Sequence, residues 1–289
     1  MKKDKPSQTA LKVALNIIAL SHVESMKKVL PDGIVQATTD LLMATGATSQ
    51  KRIEKHQSPK IVSLYKKFDW FLPGQFETFG YRKAFFEENV RDSIENGAGQ
   101  VLILGAGYDT IGYRLSVEFP AVKFFEIEEP ATAMIKIAAL KKLTAAANLF
   151  VLPEDLGKKK LGAVLEADSN WDNNKKTIIT AEGLLQYLNS ESVSDLFREC
   201  QKISGADSRI AFTYIRSRPD GKPDAGPRSG LMLWLLKIGG EPWLWSTTDE
   251  DLKKLLDETG WKYSNHLTDS ENKRGIEYFA AAVKQNKRI

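Results

Sequence analysis

Five short apolar runs, each closed by a turn and most of them followed by a helix-patterned stretch, constrain this chain more than any other feature. Gln100 to Leu104 is the first, and Val122 to Ile127, Leu149 to Leu152, Thr177 to Thr180 and Ile210 to Tyr214 follow. A continuous apolar run of that length suits a strand buried on both faces. The stretches between them, Thr110 to Glu118, Ala131 to Leu143 and Ser190 to Ser204, carry apolar residues at helical spacing. Strands alternating with helices require crossover connections, which are right-handed, and so predict a parallel sheet with helices on both sides. Lys158 to Asn174 is less regular and allows one short helix.

Upstream of the first run the pattern is helical from about residue 8 to residue 96. Ser7 or Thr9 can start a helix, Pro31-Asp32-Gly33 breaks it, and Ile34 to Ala44 resumes it. Gly46 to Gln57 reads as a polar connection. A third helix is expected from Lys60 to Phe71, ended by Pro73-Gly74, and a fourth from Gly80 to Glu95, closed at Asn96-Gly97. Downstream of the fifth run, Arg216 to Gly230 is rich in Pro, Gly and charge and is expected to be mobile. The apolar Leu231 to Ile238 and Pro242-Trp243-Leu244-Trp245 come next, and Ser246 or Thr247 then starts a helix through Glu258. Trp261 to His266 and Glu277 to Val283 read as a closing antiparallel pair. With no repeat and no linker, residues 1–96 are expected to be a helical cap on the same domain as a core at 97–289, with a lid insertion at about 216–245.

Composition excludes several function classes. The net charge is +4 from 41 basic and 37 acidic residues, and the Lys and Arg residues are scattered as pairs and one triplet, so no nucleic-acid track is expected. The one cysteine, Cys200, forbids an intrachain disulfide and reads as a buried structural thiol in a reducing compartment. Leu11 to Leu20 is apolar but interrupted by Lys12 and Asn16, which favours an amphipathic helix over a signal peptide. A cytoplasmic protein with no membrane partner is the expectation. His22, His56 and His266 are dispersed without cysteine partners, so no metal site is expected.

Ligands of an open parallel sheet bind beyond the carboxyl ends of its strands. Gly105-Ala106-Gly107-Tyr108-Asp109-Thr110 follows the first predicted strand, and glycines there let a ligand approach the backbone. The second ends in Glu126-Ile127-Glu128, about 20 residues on, where a carboxylate can accept hydrogen bonds from ribose hydroxyls. Asp155-Leu156 follows the third, suited to an adenine amino group and ring, and Glu182-Gly183 follows the fourth. Each alone is a common loop, since a bare Gly-x-Gly is usually a turn. Together, in strand order, they indicate a nucleoside. Nicotinamide cofactors favour Gly-x-Gly-x-x-Gly, but the sixth position here is Thr110, and Asp109 would repel a pyrophosphate. S-adenosyl-L-methionine has no phosphate and carries a sulfonium and an ammonium, which an acidic loop tolerates.

The segment from Gln100 to Thr110, continuing to Tyr113-Arg114-Leu115, resembles the signature of the leucine carboxyl methyltransferase family. The resemblance extends to Phe125 to Pro130, to Asp155-Leu156 and to Ala181 to Leu188, and upstream to Ser7 to Ala10 and Tyr81-Arg82, as in its bacterial branch. It implies an α/β, Rossmann-like methyltransferase fold with a mostly parallel seven-stranded sheet and an N-terminal helical cap. It implies S-adenosyl-L-methionine as cofactor, held by Arg82 at the methionine carboxylate with Gly105, Ala106, Gly107 and Asp109 in the loop. Glu128 takes the ribose place where the family usually has Asp, leaving open whether Glu126 shares it. Asp155 and Leu156 contact adenine, Glu182 lies near the methionine ammonium, and Tyr187 faces the substrate. The family's N-terminal basic residue has no secure match; His22, Lys27 and Lys28 stand as candidates. Trp234, Trp243 and Trp245 either line an acceptor pocket or pack the lid on the sheet. The expected reaction is O-methylation of a carboxylate or hydroxyl on a small molecule or peptide end, with no oligomeric state legible. The competing readings are an NAD(P)-dependent oxidoreductase and a non-catalytic nucleoside-binding protein.

Overall fold

The computed structural model describes residues 6–68, 72, 74–264 and 275–285. Five helices come first: α1 (Gln8–Leu20), α2 (Ile34–Thr45), α3 (Gln50–His56), α4 (Lys60–Phe68) and α5 (Gln75–Glu95). The alternating part runs β1 (Gln100–Leu104), α6 (Ile111–Glu118), β2 (Lys123–Glu128), α7 (Pro130–Lys142), β3 (Leu149–Pro153), α8 (Leu161–Glu166), β4 (Thr177–Ala181), α9 (Ser190–Lys202) and β5 (Arg209–Tyr214). Then come α10 (Ser229–Gly239), α11 (Asp249–Glu258), β6 (Trp261–Tyr263) and β7 (Tyr278–Lys284).

The seven strands form one sheet in the order β3-β2-β1-β4-β5-β7-β6. β1 to β5 are mutually parallel, and β7 pairs antiparallel with both β5 and β6. Every residue of β1 and β4 is buried, the polar Gln100, Thr177 and Thr180 along with the apolar residues between them, as expected of strands covered on both faces. Strand alternation sends Phe124 to one face and Phe125 to the other. On one face Phe85 and Phe86 of α5 pack with Phe124 and Phe279. On the other, Phe125, Trp171, Phe197, Phe212 and Trp261 join residues of α8, α9 and α11. The chain winds outward from β1 through β2 to β3, then crosses back to β4 on β1's other side. That reversal puts a switch point at the carboxyl ends of β1 and β4.

The five parallel strands lie within a residue of their expected bounds, and the closing antiparallel pair is present, although His266 lies outside the described residues. Three expectations need correction. Gly46 to Gln57 is not a plain connection: Ser49 caps α3, which buries Ile53 and His56 one turn apart. Two buried positions are too few to give a visible period. α5 begins at Gln75 rather than Gly80, because Gly80 is no break. A Cβ there would sit 3.0 Å from Met26 Sδ, so the glycine serves close packing inside the helix. The cap of α11 is Thr248, one place later than expected, its side chain accepting from Asp251 N. The expected helix over Lys60 to Phe71 is described to Phe68; residues 69–71 and 73 lie outside the described residues. Arg216 to Gly230 folds back on itself, with bridges Ser217–Pro223 and Arg216–Thr247 and Ala225 fully buried.

Trp261 is fully buried and donates its indole N–H to Phe197 O at 3.0 Å. Trp261→Ala is expected to lower the unfolding free energy by about 3–5 kcal/mol, read by urea denaturation.

Candidate active site

Beyond the switch point lies a cavity of about 870 Å3, within the size range of small-molecule sites. The sheet supplies its floor. Gly105 and Gly107 take φ values of +64° and +47°, a region where a side chain is strained. A Cβ on Gly107 would stand 2.7 Å from Ala10 Cβ, so α1 lies directly across the loop. The Gly107 N–H donates to Glu128 Oε2 at 2.7 Å, joining the ends of β1 and β2. Asp109 Oδ1, one residue before the N-cap Thr110, accepts from Ile111 N at 2.7 Å and so satisfies the first N–H of α6.

Ten of the eleven residues singled out from the sequence line this cavity: Arg82, Gly105, Ala106, Gly107, Asp109, Glu128, Asp155, Leu156, Glu182 and Tyr187. Glu126 does not. It points deeper along β2, is fully buried, and pairs with the equally buried Lys136. Its Oε1 would be 2.5 Å from a Cβ on Gly112, which explains that glycine in α6. Lys136 also donates to Asp109 O at 2.7 Å, so the Glu126–Lys136 pair supports the loop from beneath. Among the candidates for an N-terminal basic contact, none of His22, Lys27 and Lys28 lines the cavity, whereas Lys12 does. The three tryptophans divide: Trp243 lines the cavity, Trp245 is buried in the core, and Trp234 is 56% exposed.

A buried ionic network fixes the middle of the site. Arg82, on α5, donates from Nε to Glu182 Oε1 at 2.8 Å and from Nη1 to Glu277 Oε2 at 2.6 Å. Its neighbour Lys83 reaches Asp109 Oδ2 at 2.6 Å and the Glu182 carboxylate at 2.9 Å. Burial works against both cations, but Glu277 and Glu182 around Arg82, and Asp109 and Glu182 around Lys83, raise their affinity for the proton. Burial also opposes the Asp109 charge, yet Lys83 beside it, helped by the Ile111 N–H, holds its carboxyl below the usual range. Glu128 goes the other way: burial lifts its carboxyl above the ordinary value despite the Gly107 N–H. Burial pushes the Tyr187 phenol up to about 12, so it stays protonated and serves as a donor near neutral pH.

Lys83, Glu277 and Asn16 were not singled out as cofactor residues by sequence. Lys83 follows Arg82 directly, and its charge in an otherwise amphipathic helix was the available signal. Glu277 lies 195 residues from its partner Arg82. Asn16, which interrupts the apolar run of α1, lines the cavity, and its buried Oδ1 has no hydrogen-bond partner among the described residues. The lining as a whole holds eight carboxylates and three cations in a chain whose net charge is +4. Such a cleft favours a ligand of net positive charge and disfavours a pyrophosphate. Among the described residues no cluster suited to a metal ion occurs, and no helix is long and apolar enough to cross a membrane.

A model of the leucine carboxyl methyltransferase family matches residues 15–201. A protein of Mycobacterium marinum is 32% identical over 244 residues, covering 74% of this chain and 76% of its own length. One of Frankia alni is 28% identical over 188 residues, covering 63% and 60% respectively. Both carry the name "Putative S-adenosyl-L-methionine-dependent methyltransferase". The chain thus spans about 60% of the length of the second. A solved structure from Thermobifida fusca, also described by that qualifier as a methyltransferase, covers 91% of this chain and 98% of its own at 15% identity with a TM-score of 0.60. That likeness shows the fold, a Rossmann-like methyltransferase sheet.

The network makes stability pH-dependent. Because folding lowers the Asp109 value, its contribution is in place above the ordinary 3.8 and is lost as pH falls below it. Asp109→Asn leaves Lys83 short of a charge partner and is expected to cost about 3 kcal/mol near neutrality. In urea titrations the gap between wild type and variant is expected to narrow as pH drops from about 6 to about 3.

Proposed function

Because this chain belongs to the leucine carboxyl methyltransferase family, we propose that its cleft binds S-adenosyl-L-methionine and that the protein methylates an oxygen of a carboxylate or hydroxyl acceptor. The observation that carries this reading is the acid-rich lining at the switch point, with Glu128 ending β2 and Asp155 and Glu182 following β3 and β4. S-adenosyl-L-methionine carries a sulfonium, an ammonium and a carboxylate, one net positive charge, which that lining suits. When bound, it supplies an electrophilic methyl group.

The residues divide its parts. Arg82 spends Nε and Nη1 on Glu182 and Glu277, which leaves Nη2 to meet an amino-acid carboxylate. Asp109, Glu182 and Glu277 outnumber Arg82 and Lys83, and the surplus negative charge suits an ammonium. Glu128 stands at the ribose place, already anchored by Gly107 N–H, and the longer Glu side chain fills the role usually taken by Asp. Asp155 and Leu156 offer an acceptor and an apolar edge to an adenine ring.

Transfer of a methyl group needs the acceptor oxygen held in line with water kept out. A carboxylate acceptor is anionic near neutrality and asks no base of the protein. Tyr187 then positions it as a hydrogen-bond donor, since the phenol with a value of about 12 cannot act as a base there. The apolar wall contributed by Phe76, Phe79 and Trp243 excludes water.

Panels of carboxylic acids, and of the matching alcohols and phenols, are to be incubated with methyl-labelled cofactor. The expected result is S-adenosylhomocysteine release with the acids and a label freed as methanol by mild alkali, the behaviour of a methyl ester. An alkali-resistant product restricted to the alcohols or phenols would move the acceptor to a hydroxyl. Cofactor binding without S-adenosylhomocysteine release across both panels would favour the non-catalytic reading.

A further inference from the structure

Two polar residues, Lys12 and Asn16, interrupt the apolar run of α1, and both line the cavity. Asn16 is only 8% exposed, and its Oδ1 has no hydrogen-bond partner among the described residues. Buried polar groups are ordinarily bonded, so an unbonded amide in a cavity wall marks a place for a ligand. Lys12, one turn earlier, is exposed and so stands at the rim. Of the three cations in the lining, Arg82 and Lys83 are ion-paired in the buried network. Lys12 alone has no ion pair among the described residues.

Helix geometry separates these two groups from the glycine loop. Ala10 lies across Gly107, so the Ala10 side of α1 faces the loop. At 3.6 residues per turn, Lys12 is turned from Ala10 by about 160° and Asn16 by about 120°. Thr9, about 100° away in the same sense, donates from Oγ1 to Glu241 Oε2, just beyond α10. Lys12 and Asn16 therefore lie on the side of α1 that meets the chain following α10. Away from the strand ends the lining is largely apolar. Phe76 is stacked on Tyr65 with ring centroids 4.4 Å apart, and Phe79, Met232, Leu236 and Trp243 extend the wall. The carboxylates in this part, Glu241 and Glu277, are already bonded to Thr9 and Arg82.

We propose that Lys12 and Asn16 receive the carboxylate of an apolar monocarboxylic acid, and that such acids are the acceptor class of this protein. The ammonium supplies the charge, and the Asn16 amide, whose oxygen gives up no bond in turning, can present its N–H groups to a carboxylate oxygen. The aromatic and aliphatic wall takes the hydrocarbon part, releasing water from both surfaces. A sugar acid or a dicarboxylate would leave polar groups unpaired against that wall. Methylation turns the anion into a neutral ester, the carboxylate oxygen bonding to the methyl carbon as the bond from that carbon to sulfur breaks. It thereby removes the charge that Lys12 attracts, which favours release of the product. The acceptor role rests on the methyltransferase reading, whereas the binding of an apolar acid at Lys12 and Asn16 is measurable without it.

The test is calorimetry of the full chain with hexanoic, decanoic and 4-phenylbutanoic acids and the matching alcohols, with and without S-adenosylhomocysteine, at a pH of about 7 where the acids are ionised. Wild type is expected to bind the acids about tenfold more tightly than the alcohols, the gap narrowing with added salt. Lys12→Gln is expected to bring acid and alcohol close to parity, and Lys12→Arg to keep the preference. Asn16→Leu is expected to weaken the acids about tenfold and the alcohols less. Leu236→Trp fills part of the apolar wall and is expected to move the preferred acid toward hexanoic. S-adenosylhomocysteine titrated alone reports separately on the cofactor reading, and its affinity is expected to be unchanged in the Lys12 and Asn16 variants. Equal binding of acids and alcohols by wild type, or binding of neither, would overturn the proposal. So would a loss of S-adenosylhomocysteine affinity in Lys12→Gln as large as its loss of acid affinity, which would assign Lys12 to the cofactor.

Discussion

Arg82 and Lys83 are neighbours on α5, and through them one helix is tied to three separate parts of the sheet. Arg82 holds Glu182 after β4 and Glu277 just before β7; Lys83 holds Glu182 and the Asp109 of the β1 loop. All five groups are buried or nearly so, and taking charges from water is costly unless each is paired in good geometry. The donors and acceptors therefore have to be in place together, which fixes the position of the helical layer relative to the strand ends. A hydrophobic substitute could have provided stability without the carboxylates. What the ionic version supplies is a polar, pre-set surface at the switch point.

The same arrangement explains why the cavity is acidic while the protein is mildly basic. Three carboxylates surround two cations in the network, and Glu128, Glu129, Glu154 and Asp155 extend the acidic character along the strand ends. Beneath them Lys136 is ion-paired with Glu126 and donates to the backbone of Asp109, so the loop that approaches the ligand is supported from its far side. Glycine is needed at Gly107 because α1 lies against it, and at Gly112 because Glu126 does. The loop, the cap helix and the buried pair constrain one another.

Much of this was legible before the structure. A strand buried on both faces leaves an unbroken apolar run, and the carboxylate that follows it marks the sheet edge, so Glu128, Asp155 and Glu182 could be read in order. Glu126 could not be separated from Glu128, since both point to the same side of β2; only the depth along the strand, visible in three dimensions, places one under α6 and the other at the tip. Glu277 was invisible because its partner is remote in sequence, and α3 because a seven-residue helix with two buried positions has no measurable period. The apolar block of α10 is legible in the sequence, whereas the exposure of Leu231, Trp234, Leu235 and Ile238 among the described residues is a property of packing.

The central claim is that the acid-lined cleft takes S-adenosyl-L-methionine, and titration calorimetry tests it directly. Saturable heat with S-adenosyl-L-methionine at one site per chain, weakened about tenfold or more in Glu128→Ala, is the predicted result. Saturable heat with NADH and none with S-adenosyl-L-methionine would contradict the account.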